Sequence, residues 1–437
     1  NKYNSLIDFL EKKFPNIEGI KDGEKIIQSN DFIKEIPRII SNLNNSYIYI
    51  QGPPGTGKTY QASNAIIELL KQKKKIAITA LSHKVIHNLL QKVEDMAKEK
   101  HFKIIGYKRG NLEDEDTIFN GDFIKTHEKD PIFMNALKIN DAGQIFAGTK
   151  YHLASSYYDN KIDYLFIDEA GQLSLADLIS IGNIAKNIVL IGDQNQLGQP
   201  IKGTHPNESG QSILDYLLEG RDTIPENRGI FLNKTYRLHS KINEFISSNF
   251  YEGRLNCDER TDKRIIKFNK KCIIQKTGVH YIEMNHKNNV QTSLEEIETV
   301  VDLMKQMIGS EFNDNGKKRE LNVKDFLIIS PYNTQVNLMI SKLEEEKIKN
   351  PRVGTIDKFQ GQEAPINIIS MTSSDSETLP RNKEFFFSKN RLNVAISRAQ
   401  VASIILFNPK ILDFFPKDIN QIKLVNNFFK LLDYKVK

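Results

Sequence analysis

The sequence predicts an α/β protein of two packed domains, each a parallel sheet flanked by helices. Short apolar runs rich in β-branched and aromatic residues recur along the chain, bounded by polar turns and separated by helical stretches. That pattern belongs to sheets buried on both faces. A length of 437 residues is too great for one core and calls for about two to three domains. No low-complexity linker parts the halves, so the domains pack together.

Residues 1–45 read as a lead-in of short helices rich in Lys and Asn. The first domain, 46–225, opens on Ser46-Tyr47-Ile48-Tyr49-Ile50-Gln51, a strand by its aromatic and β-branched content. Tyr60 to Leu70 follows as a helix, with Ala62, Ala65, Ile66, Leu69 and Leu70 at helical spacing. Lys75 to Ala80 is the second strand. Ser82 can cap the next helix, whose Val85, Ile86, Leu89 and Leu90 form one apolar face. From about 98 to 142 the pattern dissolves into polar sequence around Glu113-Asp114-Glu115-Asp116, read as an insertion. Strands resume at Gln144 to Gly148, Tyr164 to Ile167 and Asn187 to Ile191. The second domain, 226–437, supplies strands at Val279 to Ile282, Phe326 to Ser330, Asn367 to Ser370 and Ala402 to Leu406. Helices fall between them at Ser293 to Met307 and Thr334 to Lys347.

Apolar content of 39% and charged content of 27% are ordinary for a globular protein. No apolar run approaches the roughly 20 residues that span a bilayer, and no secretory leader is visible. Cys257 and Cys272 match no zinc or redox spacing and read as thiols of a reducing cytosol, so a cytoplasmic location is expected. The first residue is Asn1, as in a piece of a longer chain or a processed product. A net charge of +6 is compatible with a nucleic-acid partner without demonstrating one. The run Lys71-Gln72-Lys73-Lys74-Lys75 reads as a solvated helix end, where cations suit the dipole.

Chemistry concentrates in Gly52-Pro53-Pro54-Gly55-Thr56-Gly57-Lys58-Thr59, a complete phosphate-binding loop between a strand and a helix. The turn aims backbone N–H groups and a dipole end at a polyphosphate. Gly55 and Gly57 let the backbone curl without a Cβ in the way. Lys58 would reach the β- and γ-phosphates, and the Thr59 hydroxyl would ligate Mg²⁺. A second strand ends in Asp168-Glu169, two carboxylates at the edge where ligands of open α/β sheets sit. Asp168 suits Mg²⁺ and Glu169 suits positioning and deprotonating a water. A third strand runs into Gly192-Asp193-Gln194-Asn195-Gln196, where Gln196 can touch a γ-phosphate. The second half has no phosphate loop but offers Arg237 and Arg398, and arginine charge accelerates phosphoryl transfer. One nucleotide between two lobes is the expectation.

The ordered motifs resemble those of superfamily 1 helicases, of the group that includes the nonsense-mediated-decay helicase and the eukaryotic replication nuclease-helicase. They are Gly52 to Thr59, Thr79 to His83, Phe146 to Thr149, Asp168 to Gln172, Gly192 to Leu197, Tyr236 to His239, Ser330 to Gln335, Val353 to Glu363 and Arg391 to Ala399. The stretches Gly203-Thr204-His205-Pro206 and Phe250 to Leu255 look most like the helicase half of bacterial RecB-like nuclease–helicase fusions. The resemblance implies two tandem RecA-like domains that bind ATP and Mg²⁺ and move 5′-to-3′ on single-stranded DNA. It implies Thr59 and Asp168 on the metal, Glu169 as base, Gln196 as γ-phosphate sensor, and Arg237 with Arg398 as arginine fingers. Tyr236 becomes an adenine-stacking candidate and Glu363 a nucleotide contact. Ser82, His83, Thr149, Tyr332 and Thr355 match positions that touch nucleic acid, and such backbone contacts need no sequence preference.

The chain departs from the family in three places. The adenine-reading glutamine is not evident; Gln28 is the nearest candidate and Gln51 sits too close to the loop. The acidic insertion would repel phosphate, so it is expected to point away from the strand or to dock another domain. No nuclease constellation is visible, and any nuclease domain lies outside this sequence. RNA remains open as the track, and so does a nucleotide-gated clamp that does not unwind.

Overall fold

Five residues without a charge, Tyr47–Gln51, form β1 and are buried along their whole length. In the computed structural model, which describes residues 3–29, 31–198, 206–269, 272–376, 387–413 and 419–434, this strand lies inside an eight-stranded sheet. The others are β2 (Lys75–Thr79), β3 (Ile105–Arg109), β4 (Ile124–His127), β5 (Gln144–Ala147), β6 (Ile162–Ile167), β7 (Ala185–Gly192) and β8 (Gly229–Phe231). Their spatial order is β4-β3-β5-β2-β6-β7-β1-β8, and every neighbouring pair is parallel. Parallel pairing needs long crossovers, which the helices Lys58–Lys71 and His83–Glu99 provide. Ile48, Ile50, Ile66, Ile78, Leu89, Phe166 and Ile191 meet in the core. The lead-in helix Phe32–Ser41 adds Ile36, Ile39 and Ile40 to it.

The segment read as an unpatterned insertion is part of this sheet. Its strand β3 turns Gly106 and Lys108 inward and leaves Ile105 exposed, so the alternation of a half-buried strand is reversed and escapes notice. The buried Glu94 carboxylate holds the segment, accepting the N–H groups of Asp122, Phe123 and Ile124 at 2.8, 2.9 and 2.7 Å. The chain leaves this first unit after Leu232, later than the 225/226 boundary read from sequence, because β8 pairs with β1.

The second unit holds most of 233–437, together with the loop tips Pro54–Thr56 and Asn195–Leu197. Its first strands are β9 (Lys234–Thr235), β10 (Asn256–Cys257), β11 (Arg264–Lys267), β12 (Gly278–Glu283), β13 (Glu311–Asp314) and β14 (Lys317–Glu320). They are followed by β15 (Phe326–Ile329), β16 (Val353–Gly354), β17 (Ala364–Ser370) and β18 (Ala399–Phe407). Five of these form a parallel sheet in the order β12-β18-β17-β15-β16. Ile297, Met304, Ile328, Met339, Ile366 and Ile404 meet in its core. An antiparallel three-stranded sheet, β11-β13-β14, is additional to the strands read from sequence. Its hairpin turns at Asn315-Gly316, both left-handed with φ of 53° and 92°. That dipeptide is the strongest short-range hairpin signal, yet all four residues of β14 are exposed and polar, so no apolar face announces the strand. Both units have the RecA-like form of a parallel sheet flanked by helices. Among the described residues no helix is long and apolar enough to cross a membrane.

Candidate active site

β1 brings the chain to the phosphate loop at the carboxyl edge of the first sheet, where Gly52 N donates to Gly192 O at 2.9 Å. Gly55 and Gly57 both adopt left-handed φ, 73° and 80°, which L side chains rarely enter. A Cβ at Gly55 would also lie 2.7 Å from Thr235 Oγ1. Gly57 caps the helix Lys58–Lys71, so the free N–H groups of its first turn face the loop. Lys58 Nζ donates to Gly52 O at 2.7 Å, which folds the ammonium back over the loop. Pro53, Pro54 and Thr56 are buried, and Thr59 is half-buried in the first helical turn. Gln51 is occupied structurally: its amide donates to Asp222 O at 2.9 Å and accepts from Ile224 N at 2.7 Å. Gln28 is exposed.

Two strands away, β6 ends at Asp168, whose N–H donates to Thr79 O at 2.9 Å. Burial pushes the Asp168 carboxyl up to about 7; the Glu169 charge adds to this and the Lys58 ammonium opposes it. A divalent cation fits that donor set, since it would satisfy a buried carboxylate crowded by a second one. Among the described residues no group of three or more His, Cys, Asp or Glu forms a metal cage. Mg²⁺ does not require one, being commonly held by one or two carboxylates with substrate phosphates. Asp168 and the Thr59 hydroxyl are the residues that would hold it.

Glu169 adopts φ 49° and ψ 46°, the left-handed region, and starts the short 3-10 turn Ala170–Gln172. For a residue with a Cβ this costs about 1–2 kcal/mol, and such strain gathers at functional sites. Nothing in the sequence announces it.

In the second unit the Asn195–Leu197 tip is clasped by side chains. Asn390 Nδ2 donates to Gln196 O and Asn393 Nδ2 to Asn195 O, both at 2.7 Å, while Asn195 Nδ2 donates to Phe250 O at 2.7 Å. The two helical asparagines received no role from sequence, although Asn393 lies inside a matched motif. Gln196 itself is buried.

Arg237 Nε pairs with Glu363, and Arg237 Nη1 donates to Ser397 O at 3.4 Å. Gln400 Nε2 donates to the other Glu363 oxygen at 2.8 Å. Burial alone would raise the Glu363 pKa, but Arg237 and Gln400 hold it below the usual carboxylate range. Arg398 is only 2% exposed; its guanidinium donates to Val394 O and Gln362 O, each at 3.2 Å. Tyr236 is 45% exposed, with the Arg260 guanidinium 5.3 Å from its ring centroid. The structure thus brings Arg237 and Glu363 together as partners and sets Arg398 in a cage of carbonyls.

The nucleic-acid candidates share one position type, the turn between a parallel strand and the next helix. Ser82 follows β2, is exposed, and caps the helix His83–Glu99 by accepting from Val85 N at 3.4 Å. Thr149 follows β5, β2's neighbour, and starts the helix Lys150–Leu153. Thr355 follows β16 and precedes the 3-10 turn Ile356–Phe359. Tyr332 follows β15 but is buried, its hydroxyl 3.5 Å from Ser373 Oγ, so its ring is not freely offered. Beside it a cavity of about 60 Å³ is lined by Ser330, Pro331, Ile356 and Arg391 among others. His83 is taken up in a hydrogen bond with Lys108, at 2.8 Å. The acidic turn lies close to this pair, because the Asp114 charge acts on both His83 and Lys108.

Two family profiles, each described as AAA domain, match residues 37–201 and 210–410. The chain is 28% identical over 391 residues to the DNA replication ATP-dependent helicase/nuclease dna2 of Schizosaccharomyces pombe, spanning 82% of this chain and 26% of that protein. It is 26% identical over 406 residues to the ATP-dependent helicase NAM7 of Saccharomyces cerevisiae, spanning 83% of this chain and 40% of that protein. With the ATP-dependent helicase upf1 of Schizosaccharomyces pombe it shares 24% identity over 451 residues, 92% of this chain and 47% of that protein. The chain therefore spans less than half the length of each of these relatives. With matches in tandem along both halves and motifs in family order, the chain belongs to the superfamily 1 helicases.

Proposed function

We propose that the chain is the motor of an ATP-dependent helicase or translocase acting on single-stranded DNA, with 5′-to-3′ movement. The observation that carries this is the carboxyl edge of the eight-stranded sheet. There a complete phosphate loop, the Asp168-Glu169 pair, the exposed Ser82 turn and the half-buried Thr149 turn stand along one row of neighbouring strands. Lys58 and the first helical turn hold the β- and γ-phosphates of ATP. Glu169 orients a water and accepts its proton as the water oxygen bonds to the γ-phosphorus and the bond to ADP breaks. Mg²⁺, when bound, neutralises charge on the phosphates. Gln196 senses the γ-phosphate, while Arg237 and Arg398 contribute charge to its equatorial oxygens. Glu363 holds Arg237 in place, and Tyr236 offers a face to the base. Ser82, His83, Thr149, Tyr332 and Thr355 form the strand's path. Nucleotide and strand affinity are then reciprocally coupled, because one ligand favours the state the other prefers.

DNA is favoured because the dna2 relative is named a DNA replication ATP-dependent helicase/nuclease. The likeness to bacterial nuclease fusions is the finer form of this reading. It rests on Phe250 to Leu255, and on Gly203 to Pro206, of which only Pro206 lies within the described residues. A nuclease partner domain and a cytoplasmic location, with both cysteines as free thiols, complete the proposal.

The test is steady-state ATP hydrolysis alone, with single-stranded DNA and with single-stranded RNA, with Glu169→Gln as control. Strong stimulation by DNA that the substitution abolishes is expected. Stimulation by RNA alone would change the track, and equal low rates with ATP-dependent strand binding would replace the motor with a clamp.

A further inference from the structure

Strand β3 carries a lysine at a position where a sheet core ordinarily takes an apolar side chain. Lys108 is fully shielded from solvent. Its ammonium donates to His83 Nδ1 at 2.8 Å and to the carbonyl of Thr117, in the turn that follows the acidic cluster. An ammonium has three protons and no lone pair, so Nδ1 of His83 has to accept. The His83 ring is neutral near pH 7: burial lowers its pKa, the Lys108 charge lowers it further, and Asp114 only partly opposes them. A neutral imidazole that accepts at Nδ1 carries its proton on Nε2. Among the described residues His83 Nε2 has no protein partner and is not sealed off. His87 Nε2, one turn along the same helix, is buried without a partner. His83 thus presents an N–H beside the exposed Ser82 hydroxyl.

We propose that Lys108 is a positioning residue for nucleic-acid grip, fixing His83 in the Nε2–H tautomer so that the helix start offers a donor to phosphate or base oxygens. The proposal rests on the reading of Ser82 and His83 as strand contacts. It gives the inserted strand a purpose that its acidic flank obscures. The titratable and charged groups around Lys108 are His83 and His87 on the helix His83–Glu99, Asp114 on the acidic turn, and His152 on the helix Lys150–Leu153. Burial lowers the Lys108 pKa to about 8, against the pull of Asp114. Above that pH a neutral amine can also accept, and the constraint on His83 is released.

The experiment uses the whole chain with nitrogen-labelled histidine. The ring signals of His83 are followed from pH 7 to 9, together with binding of a fluorescent oligo-dT, for the wild type, Lys108→Met and His83→Ala. The expected wild-type ring pattern is Nε2–H at pH 7, moving towards a tautomer mixture as pH rises through 8. Strand affinity should fall about twofold over the same interval, in proportion to the share of rings that leave the Nε2–H form. Lys108→Met should start from the mixture, bind about twofold more weakly at pH 7, and lose the pH dependence. A wild-type ring that is Nδ1–H at pH 7, or Lys108→Met weakening binding without altering the tautomer, would overturn the proposal; the first needs no variant to fold. If His83→Ala binds like the wild type while DNA still stimulates hydrolysis, the proposal fails and the motor reading stands.

Discussion

The two sheets distribute their charged side chains differently. In the first unit every candidate group lies at the carboxyl edge: the phosphate loop after β1, Asp168 after β6, Ser82 after β2 and Thr149 after β5. In the second unit Tyr332 and Thr355 keep that position, but Glu363 and Arg398 stand just before β17 and β18, at the amino edge. Helices begin at the carboxyl edge of a parallel sheet and end at its amino edge. The first edge therefore presents free N–H groups and draws anions, while the second presents free carbonyls and holds cations. Arg398 illustrates this, donating to Val394 O in the last turn of the helix Lys389–Ile396. One fold used twice can thus bind phosphate in one copy and store guanidinium groups in the other.

The sharpest way to break this comparison is Glu169→Gln. It should lower ATP turnover by about 10²–10⁴-fold while nucleotide binding persists, the ordinary contribution of a general base. Retained turnover would move the base elsewhere on the edge. If the amino edge of the second sheet serves the same reaction, Arg237→Ala should cut kcat about a thousandfold. A loss below tenfold would leave the Arg237–Glu363 pair a structural clasp.

A smaller effect concerns stability without metal. The folded-state pKa of Asp168 is raised to about 7, so the stability it lends is complete below about pH 4 and is lost as pH rises through 7. In magnesium-free buffer at pH 8, Asp168→Asn should stabilise the protein against denaturant by on the order of 3 kcal/mol. The gain should fade towards pH 4 and disappear when magnesium and nucleotide are added. No difference at pH 8 would mean that the carboxylate is already compensated. The smallest effect is expected of Thr149→Ala, which should weaken strand binding about two- to fivefold in a titration, the scale of one neutral hydrogen bond.

How far the sequence revealed this arrangement depended on the kind of signal each residue leaves. The phosphate loop and Asp168-Glu169 were legible because glycines, lysine and paired carboxylates at fixed spacing each have a chemical reason. The buried strands β1, β6 and β7 were legible because Tyr47–Gln51, Tyr164–Ile167 and Asn187–Ile191 within them are uncharged runs. Strand β3 was not, because its inward residues are Gly106 and Lys108, and no rule of alternation expects a buried ammonium there. The left-handed backbone of Glu169, the Arg237–Glu363 pairing and the burial of Tyr332 were likewise hidden, since each depends on tertiary packing that local pattern does not encode.

The position of β1 also bears on how the protein is made. Its two sheet partners, Ala185–Gly192 and Gly229–Phe231, come far later in the chain. On a ribosome, Tyr47-Ile48-Tyr49-Ile50 emerges long before either neighbour exists, roughly 10–35 s before β8 at ordinary elongation rates. Throughout that interval an uncharged, edge-competent segment is exposed to other chains and to chaperones. Because β1 lies between these two strands in the sheet, the loop that follows it can take its place only after Ala185–Gly192 has been made.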